Sequence, residues 1–550
     1  MRRVHVLAVL LAGCGGTLGD ELTTAEERCD SNQPPDAPVV QTPFAGAKYL
    51  QPDEVVISAS AFTDVDGDAM GGAQVEIWAV APSGTLTTRV WSAAFDTMPQ
   101  VVRLGDGAFD LDLEGLQPDT TYAAVVRYRD GRAPLGAKAC ATWGAWSAPQ
   151  YFTMDNGSRA FFDDTQVQDI YLELTPEVIA ALDAQARPPG CVPFERQYYP
   201  GNVIVGGQRF DHVGVKTKGG CGSSRGMGGK PSFKINLEWD DPAVPGCPDK
   251  RRYNGQRSLT INNGVQDRTA GHERVAYAFF HALGVGSSRA ASVRMNVNGQ
   301  YWGVYQLLET VERPMLKRWY GSGGMLYEGT YWCDVSANNL PIGDADNKCL
   351  TREFHPTECD GTPDPGDDPI TYDPLRDLVA KLDAIPPGGF LPAARDFLDV
   401  DEFLSDWAGA SVLGHWDSYE LNIVNNYRIY HDPQSHLWHF LPSGLDQTMG
   451  SDVDPFNPQG RVAKLCLQNQ ECKALFAARL REAAATFEAM DLVDRAKAIH
   501  DQLLPHVMAD PRKEYSMGTW ESENTNWRNW IAARPAQIRQ KLAAAGFPAP

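Results

Sequence analysis

The chain has 550 residues, enough for roughly two to four domains. Its 43% hydrophobic and 22% charged content is ordinary for a globular protein and leaves room for a large core. Against 49 basic residues stand 70 acidic ones, and the net charge of −21 excludes non-specific nucleic-acid binding, which needs a basic field.

The chain opens with "MRR", a short apolar run "VHVLAVLLAG" and then Cys14. The run is far shorter than the ~20 residues that span a bilayer, so residues 1–14 read as a secretory signal peptide. "LAGC" resembles the bacterial lipobox. Cleavage would leave Cys14 as a lipid-carrying N-terminus and hold the protein at a membrane of the cell envelope, at the outer membrane or cell surface. The alternative is a plain signal with a chance cysteine. Setting Cys14 aside, ten of the eleven cysteines remain, an even set that suggests disulfides in an exported chain. Cys466 with Cys472 and Cys349 with Cys359 are plausible local loops. No C-x-x-C pair occurs and no His pair accompanies the cysteines, which argues against a cysteine zinc site. Residues 15–36, small, polar and Pro-bearing, read as a flexible tether.

Residues 37–154 alternate short strands with turns. "QVEIWAV", "TTRVWSA", "AFDLDL" and "TYAAVVRYRD" each suit a half-buried strand. "LQPDTTYAAVVRYRD" followed by "SAPQYFT" resembles the end of a fibronectin type III module, an all-β immunoglobulin-like sandwich of the kind that spaces or binds. "DVDGD" at 64–68 offers alternating oxygens to calcium, or is an exposed acidic turn without the later bidentate Glu of an EF-hand.

After Asn156 strands and helices mix, and residues 160–545 read as one α+β domain. "YLELTPEVIAALDAQAR" is a strand and then a helix starting near Thr175 with Pro176 in its first turn. "GNVIVGGQRFDHVGVKTKG" is a hairpin. The Gly-rich "GGCGSSRGMGG" leads to the strand "KPSFKINLEW". "DRTAGHERVAYAFFHALG" is a helix closed by Gly284, and "ASVRMNVNGQYWGVYQLLETV" turns at Asn298-Gly299. Residues 334–374 form a long insertion. Helices dominate from 375 onward except around 424–446, and an amphipathic helix ends the chain.

Four pieces in this order, "KPSFKINL", "NGQYWGVYQLLETVE", "GHWDSYELNIVNNYRIY" and "FLPSGLDQTMG", resemble the CotH kinase family. The resemblance implies an atypical, compact two-lobe protein-kinase-like fold that uses ATP and Mg2+ (or Mn2+) to phosphorylate protein serines. Phosphoryl transfer needs cations on the phosphates, carboxylates on the metal and a group that aligns the attacking hydroxyl. Lys234 sits mid-strand with Phe233 and Ile235 on the opposite face, so it faces solvent or a cleft. It is the first candidate for the phosphates, with Lys218, Lys230, Lys216 and Arg225 behind it. The glycines of 219–229 suit backbone approach to phosphate or a loop pinned through Cys221. By family position Glu309 would hold the phosphate lysine, with Glu273 as the rival. Asp417 would be the catalytic base, Asn422 a metal ligand, and Asp446 the chief metal ligand. A capping Asp417 and a turn-forming Asp446 are the plain alternatives. Asn425 and Asn426 are possible assistants, and Phe440 or Trp438 stacks on adenine or packs in the core. His415 reads as a structural prop.

The pattern departs from the family in two places. Relatives carry P-W-D-x-D where this chain has "PSGLD", so Ser443 and Gly444 replace a Trp and an Asp, and Asp452 or Asp454 would have to substitute. The Lys that follows "LY" in relatives is Glu328. Free ATP is also scarce outside the cytoplasm. The sequence therefore leaves two readings: an exported kinase acting on Ser or Thr of an unidentified envelope protein, or a non-catalytic surface module with a kinase-like cleft. A carbohydrate-processing enzyme ranks last, since no acid and base pair can be located.

Overall fold

The computed structural model describes residues 29–548 without 44–46, 51–54, 97, 99–101, 104–115, 117–119, 135–138, 155–157, 186–193, 195, 240, 242–250, 321–323, 344–347, 354–370 and 434. The signal peptide, Cys14, most of the tether, the expected strand "AFDLDL" and Cys191, Cys247 and Cys359 lie outside the described residues. The chain divides into two units, Met1–Met154 and Asp155–Pro550.

The first unit is all β. Strands β1 (Val40–Thr42), β3 (Val56–Ala59) and β6 (Val102–Arg103) form one sheet. Strands β2 (Ala47–Leu50), β4 (Met70–Val80), β5 (Leu86–Phe95), β7 (Thr121–Asp130) and β8 (Gln150–Met154) form another, in the order β2-β8-β7-β4-β5. Both sheets feed one core: Val40 and Ile57 from the first meet Val75, Ile77, Ala124, Val126 and Phe152 from the second. On the central strands β4 and β7 the opposite face is covered too, with Glu76, Ala123 and Val125 buried. A disulfide joins Cys29 to Cys140. In the acidic turn, Asp64 Oδ1 accepts the N–H groups of Asp66 and Asp68, and Arg132 pairs with both Asp66 and Asp68.

The second unit starts with a closed barrel. Its strands are β9 (Gln168–Glu173), β10 (Tyr199–Val205), β11 (Gln208–Lys218), β12 (Ser232–Asn236), β13 (Ser258–Asn262), β14 (Ala290–Val297) and β15 (Gln300–Glu309). They close in the order β10-β11-β12-β13-β15-β14-β9, and β9 with β14 is the parallel pair. Alternation sends Val213, Val215, Phe233, Ile235, Leu259 and Ile261 inward, where all are essentially unexposed. Local chemistry sets the connections. The Thr175 side chain accepts the N–H of Val178 and starts helix α1 (Pro176–Ala184), with Pro176 in the first turn as expected. Helix α2 (His272–Ala282) lies between β13 and β14, and the hairpin of β14 and β15 turns at Asn298-Gly299.

Helix α3 (Arg313–Tyr320) leads to a second sheet of β16 (Met325–Gly329), β17 (Leu350–Arg352), β18 (Tyr427–His431) and β19 (Trp438–Pro442), in the order β17-β16-β18-β19. Helices α4 (Asp373–Asp383), α5 (Val400–Leu413), α6 (Gln470–Ala489), α7 (Leu492–Ala509) and α8 (Met517–Ala544) are the longest of the helices that follow, beside the shorter Phe390–Ala394 and Arg461–Gln468. They bury a large aromatic and aliphatic core in which Trp407 stacks on Phe476 at 3.6 Å. The Cys466–Cys472 disulfide is present, as expected from spacing. The Cys349 expectation needs correction: Cys349 pairs with Cys333, across 16 residues, because β17 returns Cys349 beside the chain that leaves β16. Among the described residues no helix is long and apolar enough to cross a membrane.

Candidate functional site

The outer wall of the barrel is polar where β11, β12 and β13 run side by side. Their inward residues fill the core, so Lys216, Lys218, Lys234, Thr260 and Asn262 must point outward. Lys218 Nζ donates to Asn262 Oδ1 at 2.5 Å, and Asn262 Nδ2 donates to Glu273 Oε1 at 2.8 Å. Glu273 sits in the first turn of α2, 1% exposed, and its Oε2 has no hydrogen-bond partner. Burial, followed by the Asp446 charge, pushes Glu273 up to about 8. Burial also pushes the Lys218 ammonium down to about 8; Arg428 and Lys234 act the same way, while Glu273 and Asp446 oppose. Lys234 pairs with Glu312 at 2.9 Å; burial opposes its charged form, but the charges of Glu312, Tyr198 and Glu353 and the Glu312 hydrogen bond together raise its pKa.

Two loops bring carboxylates to the same place. Helix α5 ends at Leu413, and the following loop carries Asp417, 5% exposed. Asn426 Nδ2 donates to Asp417 Oδ2 at 2.7 Å, while Oδ1 is buried without a hydrogen-bond partner. Burial pushes Asp417 up to about 6, against the pull of the Asn425 and Asn426 amides. After β19, a short 3-10 turn over Leu445–Gln447 presents Asp446. Burial and then the neighbouring Asp267 and Asp417 charges push Asp446 up to about 6, while Lys218 pulls it down. His272 of α2 bonds the Asp446 carbonyl oxygen at 3.1 Å, which ties this turn to the helix that carries Glu273.

His415 is fully buried, and burial pushes it down to about 3, so it is neutral. Its Nε2 lies 3.4 Å from Asp417 Oδ1, which fits the structural role expected for it.

A third set of charges comes from the second sheet. Arg428 of β18 bonds Glu328 of β16 and Glu353, each at 3.0 Å. Burial and the charge of Glu353 push Glu328 up to about 7. In Glu353 burial is overcome by Arg428 and then Lys234, and its pKa falls to about 2. Glu328, where the resemblance led us to expect a lysine, is therefore an acid that already holds an arginine.

Lys218, Lys234, Asp417 and Asp446, from four separate parts of the sequence, thus fall into one electrostatic neighbourhood. Five other expectations do not. Glu309 accepts from Arg289 at 2.8 Å and Arg318 at 2.6 Å, is 2% exposed, and is not the partner of a phosphate lysine. Burial alone would raise Glu309, but the two arginines hold it at about 2. Lys230 is buried in an ion pair with Asp510 at 2.7 Å. Arg225 is taken by Glu514 at 2.6 Å. Phe440 is 1% exposed and packs on Phe403, Tyr419 and Tyr427, so it is core and not an adenine platform. Asn422 is exposed and donates its N–H to the Trp416 carbonyl, whereas the amides that reach Asp417 belong to Asn425 and Asn426.

The two proposed substitutes for the missing carboxylate are also committed. Asp452 pairs with Arg534 and Lys541, each at 2.9 Å, and Asp454 caps the N–H of Phe456. Gly444 explains the missing Asp itself. Its φ is +64°, and a Cβ there would meet the Asn426 side chain at 2.5 Å.

Sequence reasoning missed Asn262, Asp267, His272, Glu312, Glu353 and Arg428. Only Glu312 carried a local signal, three residues beyond Glu309 in "LLETVE".

The fold and its charged site define an α+β protein in which barrel lysines lie near loop-borne carboxylates. The family described as "CotH kinase protein" matches residues 215–538, and the chain belongs to that family. It is 24% identical over 305 residues to the inner spore coat protein H of Bacillus subtilis (strain 168), covering 53% of this chain and 80% of that one. It is 26% identical over 302 residues to invasin CotH2 of Rhizopus delemar, covering 48% of each. Among solved structures, the Helicobacter pylori proinflammatory kinase CtkA aligns over 60% of this chain and 96% of its own at 10% identity, with a TM-score of 0.23. Titin kinase with its flanking domains aligns over 50% of this chain and 37% of its own at 9% identity, with a TM-score of 0.13. Overlaps that low do not assign a fold.

Proposed function

We propose that residues 160–545 form a two-lobe, kinase-like domain that transfers the γ-phosphoryl of ATP to a Ser or Thr hydroxyl of a cell-envelope protein. The first unit acts as a fibronectin-like spacer, and a lipid on Cys14 holds the protein to a membrane. The observation that carries the catalytic reading is the gathering of Asp446 and Glu273 around Lys218, with Asp417 beside Asp446. All three acids are buried, and burial is the first cause of their raised pKa values, with like charge adding to it at Asp446 and Glu273.

The donor set suits Mg2+ or Mn2+. Such ions bind through one or two carboxylates plus nucleotide phosphates, and Asp417 Oδ1 is buried with no partner of its own. Asp446 would be the main ligand, with Asp417 beside it. A bound divalent ion supplies charge neutralisation on the phosphates.

The remaining work falls to this chain. Lys218 and Lys234 present ammonium groups to phosphate oxygens. Glu273 and Glu312 orient them from the side, through Asn262 in the first case. Asp417, steadied by Asn426, accepts the hydrogen bond of the incoming hydroxyl and takes its proton as the new P–O bond forms and the bond to the leaving ADP breaks.

The second reading, a non-catalytic cleft that binds a nucleotide or partner, is favoured by one observation: Glu328 stands where the resemblance led us to expect a lysine and is engaged by Arg428. Magnesium-dependent ATP binding by the purified chain, followed by radiolabel transfer to casein, separates the two. Binding with transfer supports the kinase. Binding without transfer supports the second reading in its nucleotide-binding form, and the absence of magnesium-dependent binding removes the kinase and leaves only a partner-binding module.

A further inference from the structure

At the opposite end of α5 from Asp417, three ligand-type side chains converge. Asp399 is the residue before the helix, Glu402 lies in its first turn, and His439 comes from β19. One oxygen of each acid and one imidazole nitrogen all lie within 4.8 Å of one another. The helix has 14 residues, so the cluster sits about 20 Å along it from the catalytic loop. We propose that Asp399, Glu402 and His439 bind a divalent transition-metal ion of the zinc class, which pins the start of α5 to β19.

Charge is the first argument. Even with a protonated imidazole, two carboxylates leave the cluster one positive charge short. Among the described residues no lysine or arginine pairs with Asp399, Glu402 or His439. Two of these side chains are deeply buried, with 7% of His439 and 10% of Glu402 exposed, where uncompensated charge is costly.

Orientation is the second argument. Metal ligands are held by outer hydrogen bonds that leave one atom free to coordinate. Glu402 Oε1 accepts from Tyr320 Oη and from the Gly286 N–H, each at 2.8 Å, so that Oε2 is the oxygen turned to His439 Nδ1, with which it shares a direct hydrogen bond that a metal ion would replace. Asp399 Oδ1 accepts the Glu402 N–H at 2.9 Å, which leaves Oδ2 as the atom nearest His439 Nδ1, at 4.0 Å. The imidazole packs against the stacked pair of Tyr320 and Tyr430, with ring centroids at 4.5 and 5.9 Å. One nitrogen and two carboxylate oxygens suit zinc-class ions better than magnesium, which prefers oxygen alone. Asp399, 35% exposed, leaves the remaining coordination positions to water and gives the ion a way in.

The test uses the full chain, stripped with a chelator, dialysed and titrated with Zn2+ alone. Bound zinc is measured by mass spectrometry, and Co2+ absorption reports the ligand field. The expected result is one zinc per wild-type chain that is lost in His439→Gln and in Asp399→Asn. Asp399→Asn keeps the helix cap, so it serves if His439→Gln fails to fold. Tyr320→Phe should weaken zinc binding by roughly 10- to 100-fold, because it removes only an outer hydrogen bond to Glu402. Zinc should also raise the melting temperature of the wild type and not of the variants. If folded Asp399→Asn keeps the wild-type stoichiometry, the proposal is overturned. It is equally overturned if zinc leaves with Asp446→Asn or Asp64→Asn instead, or if the wild type takes up none.

Discussion

Replacing Glu309 by Gln separates a structural ion cluster from a catalytic one. Glu309 touches two arginines whose side chains are 8% and 1% exposed. Gln keeps the shape and removes the charge, leaving Arg289 and Arg318 buried without it. Breaking a buried pair from one side costs about 3–5 kcal/mol. The pKa gives a second route to the size. Glu309 falls from its ordinary 4.5 to about 2, and a fall of roughly 2.5 pKa units corresponds to about 3 kcal/mol. Because the folded pKa is depressed, this stability is fully present above pH 4.5 and is lost as pH falls through about 2.

Urea unfolding of the full chain, followed through the transition of the larger unit, should show a lower midpoint with an unchanged slope. The gap between variant and wild type should shrink when the experiment is repeated at lower pH. Magnesium-dependent nucleotide affinity per folded molecule should stay at the wild-type value. A variant that unfolds like wild type but loses nucleotide affinity would refute the assignment of Glu309 to structure and return it to the cleft.

Three further outcomes follow from particular side chains. Lys218→Met should weaken nucleotide binding by about 1.5–3 kcal/mol, roughly 10- to 100-fold, in isothermal titration. Wild-type affinity should fall as pH rises through about 8, where the free Lys218 loses its proton, and the variant should lack that limb. Gly444→Ala should cost about 1–3 kcal/mol of stability, because φ is +64° and the new Cβ meets Asn426. Phosphotransfer should fall further than nucleotide affinity, since Asn426 is the residue that holds Asp417. Cys14→Ser, expressed with its own leader, should move the protein from the membrane fraction to the soluble fraction; unchanged fractionation would rule out the lipid anchor.

Much of the fold was legible because its signals are local. Thr175-Pro176 marks a helix start by capping chemistry, and Asn298-Gly299 marks a hairpin turn. Alternation around Phe233, Lys234 and Ile235 gave the outward lysine. Glu309 shows where such reading stops. It lies opposite Leu259, so it shares that residue's side of the sheet, while Lys234 lies opposite Thr260 and points to the other side. Register between β13 and β15 decides this, and register is a tertiary property that a single strand does not carry.

Asn422 failed for a related reason. Kinase spacing counts five residues from the Asp, but this loop runs on in turns to β18, and the amides that reach Asp417 stand just before that strand. Lys230 and Asp510 are separated by 280 positions, a pairing that no local pattern announces. The Cys349 partner was misplaced because two nearby cysteines, Cys333 and Cys359, were compatible by spacing, and the return of β17 toward β16 selects the first.

The central claim is that Asp446 and Asp417 share one cleft with different tasks. Its most direct test is calorimetric titration of ATP with Mg2+ into Asp446→Asn and Asp417→Asn, beside a transfer assay on the same preparations. The account predicts that Asp446→Asn abolishes magnesium-dependent binding, while Asp417→Asn binds nucleotide and transfers nothing. Two folded variants that both bind and transfer like wild type would contradict it.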